Sequence, residues 1–147
     1  MARILYFAIE EAIRDILKAD NNLKDDMVVI EEEPPTNIDL GRWIGIYLER
    51  RDPIAGSIAA GKRQRLQMTF AIWCAASHME SVAQACQERD KLMGQVEIAL
   101  LSDTNKTLNG TVQRFELGGG EFESARIEGG IMMSGSIIIN AQQEATT

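Results

Sequence analysis

Two stretches with helical spacing and six short strand-like segments, in the order α-β-β-β-α-β-β-β, predict an α+β domain. The sheet is expected to be antiparallel or mixed, with two α-helices packed on one face. Three observations carry this. Residues 2–20 repeat apolar side chains at helical spacing, residues 66–74 alternate with the period of a strand, and the other strand-like segments fall in consecutive runs. The chain has 147 residues, 45% hydrophobic and 25% charged, which suits a single domain over 1–147.

The first helix rests on Ile4, Leu5, Ala8, Ile9, Ala12, Ile13, Ile16 and Leu17, the i, i+3, i+4, i+7 pattern of one buried face. Glu10, Glu11, Arg14, Asp15 and Lys18 are assigned to the opposite face, and Asp20-Asn21-Asn22 supplies the stop. Met27 to Ile30 reads as a short strand running into Glu31-Glu32-Glu33, and Pro34-Pro35 ends regular structure there. Trp43-Ile44-Gly45-Ile46-Tyr47-Leu48 is aromatic and β-branched, with Ile44, Ile46 and Leu48 on one face. A long basic loop is expected at about 50–65. After it, Leu66, Met68, Phe70, Ile72 and Cys74 alternate with Gln67, Thr69, Ala71 and Trp73, a strand with one strongly buried face.

Ser77-His78-Met79-Glu80 fits a capping box, in which a serine oxygen and a glutamate three residues on satisfy free helix N–H groups. The helix it opens runs from about Met79 to Leu101, with Val82, Ala85, Cys86, Leu92, Met93, Val96, Ala99 and Leu100 at helical spacing. Gly94 inside it costs ~1 kcal/mol relative to alanine. Asp103 to Gly110 is a polar loop. Thr111 to Leu117 and Glu121 to Ile127 read as strands joined by a hairpin turn at Gly118-Gly119-Gly120, and Ile131 to Ala141 closes the sheet. Residues 142–147 are expected to fray.

The net charge of −7 and pI near 4.8 argue against binding phosphate backbones or anionic membranes as a main task. The longest apolar run, Phe70 to Ala76, is far short of the roughly 20 residues of a bilayer span. Glu10 and Glu11 interrupt what would otherwise resemble a signal sequence. Two cysteines make no disulfide framework and point to a reducing compartment.

Residues 56–63 (Gly-Ser-Ile-Ala-Ala-Gly-Lys-Arg) nearly match the phosphate loop G-x-x-x-x-G-K-[ST]. Arg63 stands where the magnesium-binding hydroxyl belongs, and a strand follows where a helix N-terminus must face the anion. A connection between strands is the better reading. His78 is the sole histidine and has no nucleophile aligned with it. Cys74 and Cys86 fall on apolar faces and read as small hydrophobes. Glu31-Glu32-Glu33 with Asp25 and Asp26 reads as a solvated strand end that discourages sheet pairing, with a weak divalent-cation site as its alternative. No catalytic constellation emerges, so neither an enzyme nor a cofactor or resident metal is expected.

Charge is unevenly spread. Between Arg50 and Arg65 there are five bases (Arg50, Arg51, Lys62, Arg63, Arg65) and one acid, Asp52, whereas residues 1–33 hold nine acids and four bases. A small body with oppositely charged surfaces is suited to head-to-tail association around a closed ring.

This succession of elements resembles the tail terminator (tail completion, or tail-to-head joining) proteins of long-tailed bacteriophages. The likeness lies in the amphipathic helix Ile4 to Leu17, the acidic strand before Pro34-Pro35, the Trp43 to Leu48 strand, the long loop, the alternating strand, the second helix and the Ile137-Ile138-Ile139 strand. It implies a structural virion protein at the tail–neck junction, a ring usually of six copies. Such a ring caps the tail tube, ends its polymerisation and presents a surface to head-completion or neck proteins. Its partners would be itself, the major tail tube protein and a neck protein, with no membrane, and with DNA passing an acidic lumen without specific binding. The candidate interface residues are Arg50, Arg51, Asp52, Lys62, Arg63 and Arg65, with Trp43 and Tyr47 as partner anchors if their strand face is left uncovered. Another neck or head-completion protein, or a nucleotide-binding domain built on residues 56–63, is the alternative.

Overall fold

The computed structural model describes residues 6–33, 41–53 and 63–146. Its elements follow in the order α1 (Tyr6–Ala19), β1 (Met27–Ile30), β2 (Arg42–Pro53), β3 (Arg63–His78), α2 (Val82–Leu100), β4 (Arg114–Gly118), β5 (Phe122–Ile127) and β6 (Gly130–Thr146). The predicted α+β order is therefore observed, and the six-stranded sheet is mixed. β1 runs parallel to β2, and every other pairing is antiparallel.

The sheet is ordered β1-β2-β3-β6, with β4 and β5 both on the outer edge of β6. Its spine is the long β3–β6 pair, in register from Arg63↔Thr146 to His78↔Ile131. Alternation decides which residues enter the core. Ile44 and Ile46, then Met68, Phe70, Ile72 and Cys74, then Ile137, Ile139 and Ala141 face the helices. They are buried against Ile9, Ile13 and Leu17 of α1 and Leu92, Val96 and Leu100 of α2. Both helices thus cover the same face.

Arg42 ties the start of β2 to the helical layer. Its guanidinium donates from Nε to Asp26 Oδ1 at 3.0 Å, from Nη2 to Asp26 Oδ2, and on to Gln95 Oε1 at 3.2 Å. The Arg42–Asp26 pair is largely shielded from water, where a fork-to-carboxylate contact is strong.

Four sequence expectations change. The loop at 50–65 is shorter, because Arg50 to Pro53 and Arg63 to Arg65 are strand residues; residues 54–62 lie outside the described set. The end of the chain is paired rather than frayed, as Gln142 to Thr146 bond along Gln67 to Arg63. The second helix is capped by Ser81, not Ser77: Ser81 Oγ accepts from the Gln84 N–H at 3.1 Å, while Ser77 stays in β3 and donates to the Gly41 carbonyl. Ser81-Val82-Ala83-Gln84 is itself a capping-box spacing, and the four extra strand residues let β3 pair fully with β6.

The glycine triplet is not a hairpin turn. Gly118 pairs with Ile138 and Phe122 with Gly135, so β4 and β5 are one edge strand interrupted by an extra residue. The backbone of Gly120 lies so close to Ser136 that an added Cβ would collide with its carbonyl oxygen, and the Glu121 N–H and carbonyl bond to Ser136 Oγ and N–H. The true hairpin lies between β5 and β6, closed by Ile127↔Gly130 around Glu128-Gly129.

Candidate functional site

The sheet face turned away from both helices carries the odd-numbered residues of β3. Its register fixes the neighbours: Trp43 beside Ala75, Gly45 beside Trp73, Tyr47 beside Ala71, with Ser134 and Ser136 of β6 beyond. Small residues alternating with large aromatic ones make a hollow. An open groove of about 620 Å³ results, floored by Trp43, Trp73 and Ala75 and walled by Tyr47. Gly45 permits this shape, since a Cβ there would come within 2.5 Å of Trp43 Cη2 and 2.6 Å of the Tyr47 hydroxyl. The two rings close over it with centroids 6.4 Å apart.

Glutamates rim the groove. Glu31, Glu32 and Glu33 stand along the β1 side, Glu49 at its end and Glu123 on β5 opposite, and among the described residues no lysine or arginine lines it. The Tyr47 hydroxyl donates to the Glu32 carbonyl oxygen. Burial, then the charges of Glu31 and Glu32, push the Tyr47 phenol up to about 12, so it remains a neutral donor. The acidic run is exposed at the end of β1, as the sequence suggested, and also forms one wall of the open cleft.

Glu31 has a structural task as well. Its backbone turns into the left-handed region at φ 54°, which ends β1, and its carboxylate takes over as strand neighbour by accepting the Leu48 N–H at 2.7 Å. Leu48 borders the bulge in β2, where the register shifts between Leu48 and Arg50. Beneath it lies Glu10, assigned by the sequence to the solvent face of α1 but in fact buried, with Oε2 lacking a partner among the described residues. Burial first, then a hydrogen bond to Glu31 and the charge of Glu31, raise the Glu10 carboxyl to about 8. The signal was present in the sequence: Glu10 shares the i, i+3, i+7 row with Ile13 and Leu17.

Among the predicted interface residues, the structure brings Trp43 and Tyr47 together and separates them from the basic group. Trp43 is buried at 4% exposure and Tyr47 is half-buried, so both are partly sheet packing even though α1 and α2 lie on the other face. Arg50 and Asp52 share the helix-free face and pair with each other at 2.6 Å. Arg51 points to the opposite face, donates to the Tyr6 hydroxyl at 3.3 Å and lies over its ring. Arg65 is exposed on β3. Lys62 and the side chain of Arg63 lie outside the described residues, as do residues 56–62 of the near-match phosphate loop. Arg63 opens a strand, not a helix. Trp73, the centre of the groove, was noted in the sequence only as one of the residues alternating with the core.

The remaining chemical candidates have local tasks. His78 Nδ1 accepts the N–H groups of Glu80 at 3.1 Å and Ser81 at 2.9 Å, which shapes the turn into α2. Burial pushes the Cys74 thiol up to about 12, leaving it a neutral core residue. Among the described residues, no group of three or more His, Cys, Asp or Glu side chains is placed to hold a metal ion, and no helix is long and apolar enough to cross a membrane.

No protein-family model matches the chain, and no curated protein matches it in sequence. Among solved structures it is similar to a chain in the extended-state sheath/tube terminator of an extracellular contractile injection system (PVC). That likeness has a TM-score of 0.51 and 12% identity, and covers 100% of this chain but 59% of that one. A chain in the virion of a native gene transfer agent particle is also similar, at a TM-score of 0.46 and 17% identity, covering 92% of this chain and 94% of that one. The shared property with the injection-system chain is the fold.

Proposed function

We propose that this chain is a tail-terminator-type structural protein. Copies of it, six in the reading that the sequence resemblance implies, close into a ring on the end of a tail tube, halt its growth and offer a fresh surface to a head-completion or neck protein. The observation that carries the reading is the likeness in fold, over all of this chain, to 59% of a chain from a sheath/tube terminator structure. The groove supports it: large aromatics half-covered on an otherwise finished sheet suit a protein completed by its neighbours. An acidic body also suits a lumen through which DNA slides without adhering. In this role the protein needs no reactive group or cofactor, and its place is the virion's tail–neck junction.

Co-sedimentation tests the reading. Purified protein should pellet with isolated tail tubes from the same source at a low, saturable ratio set by the number of tube ends, and should not pellet with portal-bearing heads that lack tails. Binding to heads and not to tubes would make it a head-completion protein instead.

A further inference from the structure

We infer that the acid-rimmed aromatic groove is the docking site for an extended, arginine- or lysine-bearing segment of a different protein. The inference rests on the groove itself and stands apart from the ring-forming reading.

The groove is a trough and not a single hollow. A second depression of about 350 Å³, lined by Thr69, Ala71, Glu121 and Ser136, shares Trp73 and Glu49 with the first. Together they cross the sheet from the end of β1 over β2, β3 and β6 to β5. Four strand-to-strand steps of roughly 4.8 Å give a span of about 19 Å, the reach of about six residues of extended chain. The strands beneath have already made their backbone hydrogen bonds to one another, so the occupant is held by its side chains.

Charge decides which side chains those are. Glu32, Glu33, Glu49, Glu121 and Glu123 line the trough at exposed positions, and among the described residues no lysine or arginine lines either depression. Such a surface repels nucleic acid and anionic lipid and attracts cations. A lone divalent ion does not match it, since no group of three or more His, Cys, Asp or Glu among the described residues converges as ligands would. The carboxylates are instead spread along a length, as the charges of a basic segment are.

The floor agrees with the rim. Trp73 is partly exposed between Gly45 and Ser136, neighbours too small to cover it. Elsewhere on the protein an arginine lies over an aromatic ring, Arg89 at 4.6 Å from the centre of Phe122 and Arg51 at 5.8 Å from that of Tyr6. Among the described residues Trp73 has no such cover, and an incoming arginine or lysine can lay its stem on the ring while the glutamates pair with its charge. A second copy of this chain is a poor source, because bases on its open face are interspersed with acids. Arg50 pairs with Asp52 at 2.6 Å, Arg65 stands across from Glu144, and Arg114 is followed on the same strand by Glu116.

Isothermal titration calorimetry of the full-length protein with hexa-arginine amide at low ionic strength tests this. The wild type should bind the peptide at one site, and N-acetyl-arginine amide more weakly by on the order of tenfold or more. Neutralising the rim (Glu32→Gln with Glu123→Gln) and removing the floor (Trp73→Ala) should each weaken peptide binding on the order of tenfold. Glu97→Gln with Asp103→Asn removes the same charge from exposed positions at and beyond the end of α2, and should bind like the wild type. Circular dichroism verifies folding. Should Trp73→Ala fail that check, Trp73→Leu, which keeps apolar bulk without the aromatic face, is read the same way.

Absence of binding, rim or floor variants that bind like the wild type, or an equal loss in the α2 variant would overturn the inference. N-acetyl-arginine amide binding as tightly as the peptide would overturn it as well, by showing a site for a single cation. Rim variants that bind the peptide normally but lose self-association in sedimentation velocity would give the groove to a second copy instead. Capping of tail tubes is read separately by co-sedimentation, so either proposal can fail without the other.

Discussion

The two faces of the sheet are built from the same strands and have opposite fates. On one face Ile46, Phe70, Ile72 and Ile139 are fully buried under α1 and α2. On the other, aromatic rings alternate with glycine, alanine and serine, and carboxylates stand around the margin. The first face spends its apolar area inside the monomer. The second leaves half-covered aromatic area around an open groove rimmed by glutamates.

The contrast is sharpest for two large aromatic residues on β3. Phe70→Ala should destabilise the monomer by about 3–5 kcal/mol, the usual cost of emptying a core aromatic site, as measured by urea unfolding. Trp73→Ala, three residues away on the open face, should cost the monomer under about 2 kcal/mol yet weaken hexa-arginine binding on the order of tenfold. Equal losses of stability would mean that the faces are not different in kind. Arg42→Ala ranks next. Leaving Asp26 half-buried without its guanidinium should cost about 2–3 kcal/mol and loosen the hold between α2 and the start of β2, visible as faster amide exchange in Gln95 to Ala99.

Protons offer a gentler way to separate the faces, because Glu10 lies on the helix side and its hydrogen-bond partner Glu31 on the groove rim. The Glu10 carboxyl is raised from 4.5 to about 8 in the folded protein, so between those values the native state binds the extra proton. Its contribution to stability is present below about pH 4.5 and is lost as pH rises through 8. Wild-type stability should therefore fall relative to Glu10→Gln between pH 5 and 9, compared by urea midpoints, with the variant the more stable at the alkaline end. A constant difference across that range would show that Glu10 is ionised in the fold. The smallest effect is Gly94→Ala. No atom lies within 4 Å of the added methyl group, so the helix should gain about 0.5–1 kcal/mol in thermal unfolding.

Periodicity made the covered face legible in the sequence. Ile9, Ile13 and Leu17 marked one side of α1, and the Leu66 to Cys74 alternation sorted those nine side chains of β3 onto their faces. What escaped was set by contacts between distant segments. A glycine triplet signals irregular backbone, but only the approach of Ser136 to Gly120 decides that it is a bulge and not a turn. Two serines four residues apart both offer caps, and pairing of β3 with β6 decides in favour of Ser81. Trp43 and Tyr47 were singled out as anchors for their type. Their third member, Trp73, was hidden because a tryptophan in an alternating strand looks the same whether its face meets a helix or stays open. Glu31 to Glu33 read as a plain charged edge for a similar reason: the wall opposite them, Glu123, is ninety residues further along the chain.

The most direct measurement is negative-stain electron microscopy of the purified protein mixed with isolated tail tubes. The expected images show a closed annulus seated on one end of each tube, and tubes so capped no longer lengthen when tube subunits are added. Bare tube ends among dispersed small particles, with elongation unchecked, would contradict the proposal that this chain assembles by its open face to finish a tail.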